Sequence, residues 1–102
     1  MPSVKYVSAS EIRSIFRDGR FEDLVAYGVL SEKLIREGPA GDRANQPPGT
    51  KSQMVAYVDN HGKQAALIHQ YVKPDGTLGA SGKPDPKKVF QNGTLYIMDE
   101  TL

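Results

Sequence analysis

Apolar positions along the chain change their period near residue 50. In the first forty residues they recur three and four apart: Ile12, Ile15 and Phe16, then Phe21, Leu24 and Val25, then Leu34 and Ile35. That spacing gathers apolar side chains on one side of a helix. Ser8, with Glu11 three residues later, fits a capping box at the start of the first segment, and Gly19 is a natural stop after Asp18. Glu22 and Asp23 open the second segment, where they complement the helix dipole, and Gly28 closes it. Ser31 is positioned to cap a third piece over residues 32–37, which Gly38 and Pro39 end.

Beyond residue 52 the pattern turns to β. Residues 54–58 and 65–72 are apolar-rich runs separated by Asp59, Asn60, His61 and Gly62, which predicts a hairpin. Val89 and Phe90, the turn Gln91, Asn92 and Gly93, and residues 94–98 predict a second hairpin, since Asn-Gly tolerates the positive φ of a tight turn. A further short strand is expected over residues 4–7. Residues 38–52 concentrate Gly, Pro, Asn and Asp and read as an exposed loop.

Together these elements predict an α+β domain in which two or three short N-terminal helices pack on a small curved antiparallel sheet of four to five strands. Residues 1–38 would form the helical part, 39–52 the exposed loop and 53–102 the antiparallel β part. The expected core is Met54, Val55, Tyr57, Leu67, Ile68, Val89, Phe90, Leu95 and Ile97 from the sheet, with Ile12, Ile15, Phe16, Leu24 and Leu34 from the helices.

Composition narrows the function classes. A length of 102 residues suits one domain, and the chain has no internal repeat. The absence of cysteine excludes disulfides, thiolate metal sites and a cysteine nucleophile. The N-terminus lacks the apolar core of a secretory signal, and no apolar run approaches the roughly 20 residues needed to span a bilayer, so a cytoplasmic protein without a membrane partner is expected. A net charge of +1 argues against bulk electrostatic coating of nucleic acid. Charge is nonetheless uneven: residues 63–88 hold five lysines against two aspartates, whereas residues 1–50 hold seven basic and seven acidic side chains.

Candidate chemistry concentrates in residues 68–88, where His69, Tyr71, four lysines and two aspartates surround three glycines and three prolines. On a strand over 65–72, Leu67, His69 and Tyr71 share one face. The loop that follows offers glycine backbone N–H groups and the Lys83 ammonium as an anion nest. The favoured function is therefore a small non-enzymatic module binding a phosphate-bearing ligand, a nucleotide or nucleic acid backbone, through Lys73, Ser81, Lys83, Asp85, Lys87 and Lys88, beside His69 and Tyr71. One alternative is a protein-interaction or inhibitor domain, of phage or mobile-element type, that meets a protein partner through a sheet edge or the loop 38–52. Another is a metal-independent ribonuclease with His69 as acid or base, Tyr71 as its hydrogen-bonding partner and Lys83 on the phosphate.

Competing motifs fail on their spacing. Gly79 to Lys83 lacks the upstream Gly and following Ser or Thr of a nucleotide-binding P-loop, and Pro84 opposes a helix there. Two histidines and scattered carboxylates at no motif spacing predict no metal site, and no cofactor is expected. Ser81 lacks the strand-turn-helix context of a nucleophile elbow. Residues 31–37 are too short and too evenly charged for a DNA recognition helix. In element order alone, short helices followed by a small antiparallel sheet with one strand histidine resemble the small bacterial ribonuclease toxins related to barnase and RelE.

Overall fold

The computed structural model describes residues 3–102. β1 (Ser3–Val7) leads into α1 (Ala9–Asp18) and α2 (Phe21–Ala26), followed by β2 (Ser31–Pro39), a 3-10 turn (Asp42–Ala44), β3 (Lys51–Val58), β4 (Gln64–Val72), β5 (Asp85–Gln91) and β6 (Thr94–Met98). The strands form one six-stranded sheet in the order β1-β6-β5-β4-β3-β2. β1 runs parallel to β6, and every other neighbouring pair is antiparallel. The helices carry the chain across one face of the sheet, from β1 on one edge to β2 on the other.

The expected architecture is thus corrected. The sheet is mixed and six-stranded in place of an antiparallel sheet of four to five strands, and two short helices cover it in place of two or three. The difference lies mostly in residues 31–39, expected as a capped helix and found as edge strand β2 in register with β3 from Ser31 opposite Val58 to Pro39 opposite Lys51. Glu, Lys, Leu and Arg are good helix formers, but propensity is a weak prior that tertiary pairing overrides. Leu34 and Ile35 remain 52% and 53% exposed, so the segment had no apolar face to hold a helix down. The boundary of the helical part consequently falls before residue 31, and the connection before β3 shrinks to residues 40–50.

Local signals account for the elements that formed as expected. Ser8 Oγ accepts from the Glu11 N–H at 3.2 Å and caps α1. Gly28, at φ 81°, takes the left-handed conformation that ends α2, and the N–H groups of Val29 and Leu30 return to the Leu24 carbonyl. Asn92 and Gly93, at φ 52° and 78°, make the two-residue turn between β5 and β6.

The core lies between the helices and one sheet face. Ile12 and Phe16 of α1 and Phe21 of α2 pack with Val7, Leu30, Val55, Tyr57, Ala66, Ile68 and Val89. Phe16 stacks on Phe21 with ring centroids 5.5 Å apart and lies 5.9 Å from the Tyr57 ring. Burial, with Glu32 and Glu22 nearby, pushes the Tyr57 phenol upward, so it stays protonated. Met54, Leu67, Phe90, Leu95 and Ile97, expected in the same core, alternate onto the opposite, helix-free face, where they are half-buried. Among the described residues no helix is long and apolar enough to cross a membrane.

Ile68 is fully buried at the centre of β4, so Ile68→Ala should cost about 2–5 kcal/mol in urea unfolding, whereas Leu34→Ala on the edge strand should cost less than about 1 kcal/mol.

Candidate functional site

His69 is fixed by the pleat of β4. Its neighbour Ile68 points into the core, so the imidazole projects to the helix-free face, in register with Met54 on β3 and Asp85 on β5. There its Nε2 lies 2.7 Å from Ser52 Oγ. Its ring meets that of Tyr71, two residues along the same face, edge-on with centroids 4.7 Å apart. Asp85 and Lys87 close one side of the ring, joined to each other by a 2.9 Å contact between Lys87 Nζ and Asp85 Oδ2. Arg36 of β2, opposite Met54, lies beyond the far side.

The imidazole holds its proton less tightly than usual. Partial burial disfavours the cation most, the Lys87 and Arg36 charges add to that, and Asp85 opposes it incompletely. The neutral form of His69 is therefore favoured at physiological pH.

Two loops wall this end of the sheet. The 73–84 loop leaves β4 through a turn in which Asp75 Oδ1 accepts from the Thr77 N–H at 2.9 Å and the Thr77 hydroxyl at 2.6 Å, so Asp75 is a turn former with a lowered pKa. The loop then returns along β4, with the Gly79 N–H bonded to the Tyr71 carbonyl at 2.8 Å. Gln46, from the loop before β3, reaches across: its Oε1 accepts from the Ala80 N–H at 3.3 Å while its Nε2 donates to the Ala44 carbonyl at 3.2 Å. A Cβ on Gly79 would fall onto that Gln46 amide, so glycine permits the close approach.

Between this loop and α1 opens a cleft of about 610 Å³. His69, Gln70 and Tyr71 of β4, Gly79 to Ser81, Lys83, Pro84 and Asp85 line one side. Arg13, Arg17 and Arg20 line the other, with Phe16 and Phe21 beneath and Glu22 and Asp23 at the rim. Asp23 is engaged by Arg20 Nε at 2.9 Å, and Asp85 by Lys87. Arg13 and Lys83 have no carboxylate partner among the described residues. Arg20 and Ala80 both hold φ 56°, a left-handed backbone that neither side chain favours, and both line the cleft.

The expected site residues divide accordingly. Ser81, Lys83 and Asp85 share the cleft with His69 and Tyr71; Lys87 stands beside it; Lys73 at the end of β4 and Lys88 on the helix-free face lie elsewhere. The glycine loop offers little as an anion nest. The N–H groups of Gly79, Ala80, Gly82 and Lys83 are engaged by Tyr71, Gln46, Gly79 and Ser81. The arginines at 13, 17 and 20 were missed, although the spacing of Arg13 and Arg17 places both on one side of α1, with Arg20 following at the start of α2. Ser52 and Arg36 gave no sequence signal, since only strand pairing brings them to the row of His69, and Gln46 gave none because its partner Ala80 lies 34 residues away.

Among the described residues no group of three or more His, Asp or Glu is placed to hold a metal ion. No family model, curated protein or solved structure matches the chain, so the likeness in element order to ribonuclease toxins adds no weight to the geometry.

The lowered His69 pKa has a sign in stability. Below its ordinary value of 6.5 the unfolded chain binds the proton more readily than the folded one, so this group's contribution is intact above that pH and is lost as pH falls toward the folded value. Urea unfolding should show a smaller stability loss between about pH 7.5 and about pH 5.5 in His69→Gln than in the wild type.

Proposed function

We propose that the protein binds a phosphate-bearing ligand of nucleotide size in the cleft between α1 and the 79–85 segment. The supporting observation is convergence: Lys83 from the loop and Arg13 and Arg17 from α1 line one hollow of about 610 Å³, while the His69 imidazole turns to the other face of the sheet. That volume lies within the roughly 300–1,000 Å³ of small-molecule pockets. Guanidinium groups supply paired donors for phosphate oxygens, and Lys83 a point charge. Phe16 and Phe21, buried beneath the cleft, give it an apolar floor. Asp23 and Asp85 already have partners, which leaves the free charges of Arg13 and Lys83 against Glu22 at the rim.

Calorimetric titration with nucleoside mono- and diphosphates should show uptake, and Lys83→Ala and Arg13→Ala should each weaken it roughly three- to tenfold while leaving the fold intact. No heat from any nucleotide would remove this reading.

A second reading, metal-independent ribonuclease, is favoured by one contact, the 2.7 Å approach of Ser52 Oγ to His69 Nε2. A neutral imidazole held by a hydroxyl is poised to take the proton of a ribose 2′-hydroxyl, with Arg36 and Lys87 near enough to meet charge developing on the phosphorus oxygens. RNA incubated with the protein and a chelator should be cleaved, and His69→Ala should lower the rate by a hundredfold or more. Full-length RNA after prolonged incubation would dismiss catalysis and leave the binding reading standing.

A further inference from the structure

The face of the sheet that the helices leave bare has its own composition. Register places Tyr6, Ile97, Lys88, Leu67, Ala56 and Lys33 in one row across all six strands. Tyr6 is 59% exposed at one end of that row. Phe90, two residues along β5, lies on the same face with Lys63 Nζ 4.5 Å from its ring centroid. Arg36 is in register with Met54, and Met54 with His69.

Charge on this face is one-sided. Lys33, Arg36, Lys63 and Lys88 stand on it, and among the described residues none has a carboxylate within ion-pair distance. Among the described residues, the acidic residues on strands are Glu32, Glu37 and Asp85. Glu32 and Glu37 pair in register with Tyr57 and Gln53 and so face the helix side, while Asp85 is held by Lys87.

We infer that this face binds an extended single-stranded nucleic acid, with bases against Tyr6 and Phe90 and phosphates on Lys33, Arg36, Lys63 and Lys88. One exposed ring, Tyr6, and one half-buried ring, Phe90, interleaved with unpaired cations on an apolar sheet face suit unstacked bases and a flexible backbone. A duplex would hide its bases, and the face has no projecting helix or ribbon to enter a groove. The strand would run toward the Arg36, Met54 and His69 row, beside the imidazole. The inference borrows from the proposed function only the class of ligand, a phosphate bearer; its surface is a different one.

Fluorescence anisotropy with a labelled oligouridylate of about a dozen nucleotides should show binding at low salt, weakening with a slope of log K against log salt near −2 to −3, as expected for three to four phosphate contacts. A duplex of equal length should bind at least tenfold less tightly. Lys33→Glu combined with Lys63→Glu should weaken single-strand binding about thirtyfold or more, and Tyr6→Ala about tenfold, with Tyr6→Phe restoring it. Calorimetry with mononucleotides should be unchanged in these variants, whereas Lys83→Ala should change it without moving the oligonucleotide curve. Oligonucleotide binding without mononucleotide uptake would sink the cleft and keep this face. No binding at low salt, loss through Lys83→Ala in place of the face variants, or equal displacement by a polyglutamate peptide, the mark of an acidic protein partner, would each overturn the inference.

Discussion

Ile68 and His69 are neighbours on β4, and the pleat sends them to opposite sides of the sheet. Ile68, fully buried beneath α1, anchors the strand, because a slip of one residue would expose it and drive an imidazole into the core. The hydrophobic demand of position 68 therefore fixes the position of the polar centre at 69. Ser52, Asp85 and Arg36 find His69 only because β3, β5 and β2 pair to that same register. Packing on the helix side and chemistry on the bare side are two consequences of one alternation.

The cleft depends on a different constraint, the joining of two loops distant in sequence. Gln46 satisfies the Ala80 N–H and the Ala44 carbonyl at once, and Gly79 gives it room. Without that tie, the 77–84 segment would be held to the sheet chiefly by the Gly79 bond to Tyr71 and the bridge between Leu78 and Val72. The left-handed backbone at Ala80 is a local cost that such surroundings must hold in place. Lys83 thus projects from a supported loop, which reduces the ordering entropy lost when a ligand engages it.

What the sequence revealed followed the range of each signal. The Ser8 cap, the Gly28 stop and the Asn92-Gly93 turn are decided within a few residues, and all three formed as expected. β2 was misread because Ser31, Leu34 and the charged residues around it satisfy helical rules locally, while the partner that makes it a strand lies some twenty residues away. The core was overfilled for a related reason: Leu67, Phe90, Leu95 and Ile97 are apolar, but a strand apolar on both faces does not say which face the helices will cover. The arginines of α1 looked like the solvated side of an amphipathic helix, and only the return of the 79–85 segment turns that side into a wall.

Bulges complete the arrangement. Between Leu34 and Arg36 the register skips Ile35, so Lys33 and Arg36, three apart and destined for opposite faces on a regular strand, both reach the bare side, while Glu32 and Glu37 both reach the helix side. A second bulge, at Lys87 of β5 opposite the step from Leu67 to Ile68, likewise lets Lys88 and Asp85 share the face of His69 while Pro86 and Val89 stay buried. Each extra residue changes the phase of its strand once, the first between the Ile68 and His69 rows and the second between the Leu67 and Ile68 rows. A chain with a net charge of only +1 thereby acquires one face rich in unpaired cations, and the same two irregularities bring Arg36 and Asp85 to either side of His69. The sorting of charge across the sheet and the surroundings of its histidine therefore have a single geometric origin.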